Sequence, residues 1–429
     1  MVFWKKKTKE ERGVLFVNRF YWPDESATSQ ILSDLAEHLA LNGVDVTVIT
    51  SRLRYTSPNE GLPATGQHNG VKIHRVWTTA FDRSSIFGRM LDFLTFYLFA
   101  TIALIRLTGH QDIVVAKTDP PLIQIFAWFA TWVRGARLVN WCQDLFPEVA
   151  YALAKNRGHD VVGSALHHIR NFALKRSHVN VTISNEMRKT LVTQGINTSR
   201  VIVINNWCGQ SIEPIPRENN TLRRQWQLQS DFVLGYSGNL GRAHVPDKLL
   251  TLAKELIGIP RLKMLFIGSG HGMAWLREKC GAEGYDHVLF KSYQSRESLS
   301  ISLSVPDIHL VSLKSECQKF LAPSKFYGIL AVGRPVAFLG DPHCDIAREV
   351  QHSCIGLTLA LNGIGSWRKT IIDAMDDEYG LTVMGQNARH TYNKRYKPST
   401  SLSAWQTILQ SVPHLPQLAK DVETPISSV

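Results

Sequence analysis

The chain has 429 residues, 44% of them hydrophobic and 20% charged, a balance that excludes a disordered chain and is too long for one ordinary core, so two domains are the default. Lys and Arg outnumber Asp and Glu by 48 to 36, a formal net charge of +12, and residues 1–208 alone hold 24 bases against 16 acids; the excess favours an anionic partner, whether phosphate, membrane surface or nucleic acid. The six cysteines stand apart with no CxxC pair, which excludes the common zinc and redox motifs and suits a reduced, cytoplasmic setting.

In chain order, the opening segment MVFWKKKTKEER is basic, with no apolar stretch behind its charges before Val14, and does not read as a secretory signal. Apolar, β-branched runs then recur at 13–20, 44–50, 71–77, 112–117, 136–141, 179–184 and 200–205, with helical patterns between most of them. In one of these, Ile31, Leu32, Leu35, Leu39 and Leu41 gather towards one side of a helix that Gly43 stops. Apolar strands separated by helices predict parallel sheets covered on both faces. Residues 93–105 carry no charge. Spanning a bilayer takes roughly 20 apolar residues, so this shorter stretch reads as a buried helix of the first domain. The other reading is an interfacial helix, whose flanking Arg83, Arg89 and Arg106 would suit lipid headgroups.

Past a segment with Pro214, Pro216, Asn219 and Asn220 the rhythm restarts, with strands expected at 232–238, 262–270, 287–293, 307–313, 335–340 and 355–359. A last helix after Pro398 carries Leu402, Trp405, Ile408 and Leu409. The expected division is a first Rossmann-like domain at 1–208, a linker at 209–230, a second Rossmann-like domain at 231–395, a C-terminal helix at 396–417 and a polar tail at 418–429. This is an α/β chain of two doubly wound parallel-sheet domains facing across a cleft, and such sheets bind ligands at the carboxyl ends of their strands.

Three glycine-bearing turns mark the second half: YSGNLGRAH with Gly238, Asn239 and Arg242, FIGSGHG with Gly268 and Gly270, and APSKFYG with Ser324, Lys325 and Phe326. A strand, a glycine turn and a helix N-terminus make an anion site, because backbone N–H groups and the helix dipole point at the ligand. Ser324 is the expected N-cap of its helix, and Lys325 and Arg242 would add charge to a diphosphate. The alternative is that the glycines serve tight packing alone. GSGHG has Met273 where a dinucleotide fingerprint needs its last glycine, and there is no GxxxxGK[ST], so dehydrogenase and P-loop readings fall away. In the first half, Asp144 and Glu148 follow a buried strand, where they either orient a hydroxyl or take a proton, or merely cap and open the next helix. Glu25, Ser26 and Thr28 before the first long helix, and Asp119 in KTDPPL, could likewise grip an acceptor or shape their turns. Scattered histidines without HExxH or clustered acids point to no metal site.

Seven stretches in order, FYWPDESATSQILSDLAEHLALNGVDVTVIT, KTDPPL, WCQDLFPEVA, TISNEMRKTL, VINNW, YSGNLGRAH and PSKFYGILAVGRPV, resemble the bacterial family 4 glycosyltransferases of GT-B fold. The resemblance points in particular to the subgroup that builds colanic acid and O-antigen repeat units and includes N-acetylfucosamine transferases. It implies a retaining transfer of a hexosyl or N-acetylhexosaminyl group from a nucleotide sugar, UDP-linked, with no required cofactor. The donor would sit on the second domain, and a polyprenyl-diphosphate-linked sugar or other saccharide acceptor would dock on the first, at the inner leaflet of the membrane. Two departures stand out. The family's pair of glutamates falls on Phe320 and Gly328, and its Arg and Lys after the first turn of the second domain fall on Asn239 and His244. The competing readings are a UDP-sugar 2-epimerase on the same fold, disfavoured because no acids cluster near GSGHG, and a non-catalytic binder of anionic membrane or nucleic acid. A nucleic-acid partner is not expected, since only the N-terminal WKKKTK joins bases to an aromatic residue.

Overall fold

The computed structural model describes residues 12–24, 26–54, 61–81, 86–154, 161–209 and 211–412. Every strand expected from the sequence forms. The first sheet contains β1 (Gly13–Val17), β2 (Asp45–Ser51), β3 (Thr65–His68), β4 (Val71–Val76), β5 (Ile113–Lys117), β6 (Arg137–Cys142), β7 (Val179–Thr182) and β8 (Val201–Val203). Its order is β3-β4-β2-β1-β5-β6-β7-β8. All pairs are parallel except β3 with β4. The strand β3 is absent from the sequence expectation, because TGQH has neither alternation nor apolar content and owes its form to the hairpin at Asn69–Gly70. The second sheet contains β9 (Phe232–Ser237), β10 (Leu262–Ile267), β11 (Val288–Lys291), β12 (Ile308–Ser312), β13 (Val336–Gly340) and β14 (Gly356–Ala360), all parallel, in the order β11-β10-β9-β12-β13-β14.

Each sheet has a switch point: β1 lies between β2 and β5, and β9 between β10 and β12. Connections leave in opposite directions on either side of such a point and open a crevice at the carboxyl ends of the strands. The first crevice is bordered by the residues after β1, β5 and β6, the second by those after β9, β10 and β12.

Helices α1 (Ala27–Leu41), α2 (Ile86–Leu107), α3 (Ile123–Arg134), α4 (Glu148–Ala154) and α5 (Val161–Lys175) belong to the first sheet. Leu15, Val17, Val114, Ala116 and Leu138 meet α2 and α3 on one face; Phe16, Val48, Val115 and Trp141 meet α1 on the other. The uncharged stretch at 93–105 is the middle of α2, a helix of 22 residues. It extends beyond that stretch on both sides, taking in Arg89 and Asp92 at one end and Arg106 at the other. The sequence offered a buried helix or an interfacial one, and α2 has both a buried and an exposed side.

The C-terminal helix Pro398–Ser411 crosses back to the first sheet. Leu402, Trp405, Ile408 and Leu409 all enter the α1 side of that core, and Trp405 packs on Trp141 with ring centroids 4.7 Å apart.

Candidate active site between the two sheets

In the first crevice, the apolar run of β5 ends in Lys117, which is fully buried. Its ammonium donates to the Thr28 carbonyl at 2.5 Å and lies 4.1 Å above the Trp141 ring. Burial pushes it down to about 7, against the opposing pull of Asp119 and Asp34. Asp119 follows two residues later and is bonded by the Thr28 side chain; burial raises its carboxyl despite the neighbouring Arg19 and Lys117. Ser26 donates its amide to Asp24 Oδ1 at 2.8 Å, and its hydroxyl is buried with no partner. It occupies the N-cap position of α1 without a side-chain capping bond. Thr28 thus ties Lys117 and Asp119 to the start of α1. Glu25 lies outside the described residues.

Asp144, after β6, is reached by solvent. The protein walls crowding it weaken its hydration and, with the charge of Asp119 adding to this, push its carboxyl up to about 6. It lines a small cavity with Thr118, Gln124, Cys142 and Arg170. Glu148 has a different fate. Arg170 donates to it at 2.6 Å, Gln194 at 2.7 Å, and His167 lies 3.1 Å away. Burial alone would raise its carboxyl, but the Arg170 charge and these bonds outweigh that and hold it low. The expectation of Glu148 as an acid or base is corrected: its oxygens are spent tying α4 to α5, so it holds the helix beside Asp144.

In the second crevice the glycine turns after β9 and β10 lie on each other. Leu240 donates its amide to the Ser269 carbonyl at 2.9 Å, and Gly272 donates to Leu240 at 3.0 Å. Gly268 and Gly270 have φ of 133° and 120°; a Cβ on Gly268 would run into the Gly238 carbonyl, and one on Gly270 would stand 2.8 Å from that of Leu240. Close packing by itself therefore requires glycine at both positions. Replacing Gly268 by Ala is expected to lower stability by at least about 1–3 kcal/mol from the backbone conformation alone, read as a lower urea midpoint at unchanged slope.

Lys325 reaches over this turn from the helix Lys325–Ala331. Its ammonium donates to the Tyr236 hydroxyl, approaches the Asn239 carbonyl at 3.5 Å and stands 3.6 Å from the Tyr236 ring centroid. The side chain is half-buried, and burial drives the ammonium well below its ordinary value. Next to it His244 gives no second cation: Nδ1 meets the Ser312 carbonyl at 2.5 Å, and burial together with Lys325 pushes the ring down to about 3. Arg242 is exposed in the same loop.

Ser324 holds the expected N-cap position, but in a helical conformation and with no side-chain capping bond to the first N–H groups. One further expectation is corrected. Phe326 does not face the crevice. It is buried, with its ring edge-on to Tyr396 at 6.1 Å, because it anchors the short helix to the core. Gly328 is buried too, and a Cβ there would stand 3.1 Å from Leu303. Phe320 packs against Cys142, Leu145 and Met187 of the first half, and its carbonyl accepts from the Leu145 amide at 2.8 Å. Gly328 is thus a core contact, and Phe320 lies at a seam between the halves. Sequence reasoning missed Lys117; the available signal was a lone charge ending an otherwise apolar parallel strand, two residues before Asp119.

Two Rossmann-like sheets, with a lysine over the glycine turns of one and carboxylates at the crevice of the other, have the GT-B fold. Residues 27–207 match the family model described as a glycosyl transferase 4-like domain. Among curated proteins, the chain is 25% identical over 351 residues to the colanic acid biosynthesis glycosyl transferase WcaI of Escherichia coli, covering 76% of this chain and 83% of that one. It is 22% identical over 303 residues to the glycosyltransferase WbjE of Pseudomonas aeruginosa, covering 70% and 75%. Among solved structures, Anabaena HepE in complex with UDP-glucose superposes with a TM-score of 0.68 at 14% identity, covering 93% of this chain and 99% of that one. Sucrose-phosphate synthase from Thermosynechococcus elongatus gives 0.71 at 15% identity, covering 94% and 99%. At these identities the superpositions speak to the fold.

Proposed function

We propose that this glycosyltransferase moves a sugar from a UDP-linked donor on the second domain to a polyprenyl-diphosphate-linked sugar acceptor on the first. The transfer retains the anomeric configuration and serves cell-surface polysaccharide synthesis from the cytoplasmic side of the inner membrane. The observation that carries this reading is Lys325, which bridges from its own helix to the turn after β9 at the switch point. An ammonium held there stabilises charge as it builds on the leaving diphosphate, with Arg242 adding to the field from the surface of the loop. The names of WcaI and of the HepE complex support the polysaccharide context and the UDP donor.

Across the gap, Asp144 is the carboxylate with access to an acceptor hydroxyl. With its carboxyl at about 6, it is the anion above that pH and neutral below it. Activity that depends on the anion therefore rises through about pH 6 and levels off above it. Asp144→Asn is expected to lower kcat by about a hundredfold and to erase that acidic limb; an unchanged pH profile in the variant would remove Asp144 from the mechanism.

Donor choice is tested by thermal shift with UDP-, GDP- and dTDP-glucose. A ligand at a hundred times its Kd adds about 2.7 kcal/mol to stability, and the expected result is a raised Tm with the UDP sugar. No shift with any nucleotide sugar would refute the donor site.

A further inference from the structure

We infer that the outer face of α2, α3 and α5 docks on a lipid surface with anionic headgroups, α2 lying in the plane of that surface. This names the docking surface for the membrane association proposed above and rests on that reading.

The three helices lie side by side on one face of the first sheet. The inward side of α2 buries Phe96, Ala100 and Leu104 in the core. Its outward side carries Met90, Leu94 and Leu98, spaced four residues apart on one stripe, and these are 55%, 55% and 57% exposed. Large apolar residues on both sides are unusual for a helix that meets water. The stripe continues on α3 with Phe129 and Trp132, the latter 57% exposed. From there Trp132 stacks on Trp128, which meets Phe172 of α5 edge-on at 4.8 Å, and the Arg176 guanidinium lies 3.8 Å from the Phe172 ring centroid. Amphipathic aromatic side chains of this kind favour the headgroup boundary.

Charge selects the occupant. The only acid in α2, α3 and α5 is Asp92, which is buried and paired with Arg19. The bases are Arg89, Arg106, Arg134 and Lys175 at the ends of the helices, besides Arg170, which is bound to Glu148. An apolar face with one sign of charge fits an anionic lipid surface. A twofold contact with a second copy would set these bases against themselves, with no exposed acid on the three helices to answer them. At 22 residues, α2 is roughly 33 Å long, and Phe87–Leu107 has a mean hydropathy of 1.7. Length and composition would allow a span, but the inner stripe is part of the sheet's core, so the helix lies along the surface rather than through it.

The test is flotation of the full chain with vesicles of neutral phosphatidylcholine and with vesicles containing anionic phosphatidylglycerol. The chain is expected to float with the anionic vesicles and to be released by salt. Leu94→Glu with Leu98→Glu, and separately Trp132→Ser, are expected to lower the bound fraction at least tenfold. Arg106→Gln with Lys175→Gln is expected to weaken binding to anionic vesicles only. UDP-glucose thermal shifts on the same samples keep the two readings apart: a retained shift with lost flotation isolates the face, and flotation without any shift would sink the donor site while leaving the docking surface standing. Failure of the folded wild-type chain to float with either vesicle overturns the proposal. So does a concentration-dependent dimer that the α2 variants dissociate while flotation stays unchanged.

Discussion

Lys325→Ala is expected to lower kcat/KM by about two to three orders of magnitude, the usual cost of removing one preorganised donor from a developing anion. The expectation is this large because the crevice holds little to replace it. His244 is neutral and turned to the Ser312 carbonyl, while Arg242 is exposed. Lys325→Met keeps the stem packed on Tyr236 and removes only the charge, so it separates binding from folding. Lys325→Arg is expected to rescue little, since a planar guanidinium does not fit the place of a compact ammonium above a ring. Burial works against the charged form of this lysine, and a diphosphate beside it works in its favour. Undiminished UDP affinity in Lys325→Met would overturn the role of the lysine.

Trp405→Ala is expected to destabilise the protein by about 3–5 kcal/mol, the range for emptying a large buried aromatic site. Trp405 is fully buried against Trp141, which in turn stacks near Trp207 at 6.0 Å. The helix that carries it follows the second sheet in sequence and completes the core of the first. The loss should therefore appear as a first sheet that melts earlier, splitting one thermal transition into two. A single transition moved by less than about 0.5 kcal/mol, within the range of ordinary surface changes, would show that the helix is only appended.

How much of this was legible in the sequence follows from where the information sits. Buried parallel strands leave continuous apolar runs, so the strands of both sheets could be read directly, and the double rhythm gave the two-sheet architecture. The strand β3 left no such trace. The site divided along similar lines. Lys325 was visible because a lysine beside a helix start after a glycine-rich sheet has a local signature. Glu148 and Phe326 misled because their partners, Arg170 and Tyr396, lie 22 and 70 positions away, and no local pattern reports such pairings. Lys117 was passed over for the opposite reason: as one charge at a strand end it looked ordinary until the fold placed it under Trp141 and beside Thr28. The departure at Phe320 was seen, but its meaning was not. Only the bond from Leu145 shows that the segment closes a seam.

The return of the C-terminal helix has a mechanical consequence. Because of it the chain passes between the two halves twice, once through Asn205–Cys208 and once through Tyr392–Ser401. The passages touch: Ser401 donates its hydroxyl to the Asn205 carbonyl at 2.9 Å, and the Cys208 thiol meets the Tyr392 hydroxyl at 3.5 Å. Two adjoining spans form a hinge with a line for an axis, whereas a single span would be a tether free to swivel. The halves can then rotate about that line without losing register, and the contacts given up on opening are the noncovalent ones, Leu145 with Phe320, Glu186 with Asp345 and Asp34 with Arg296. Lys325 and Asp144, one on each half, would then move relative to each other along a single repeatable arc.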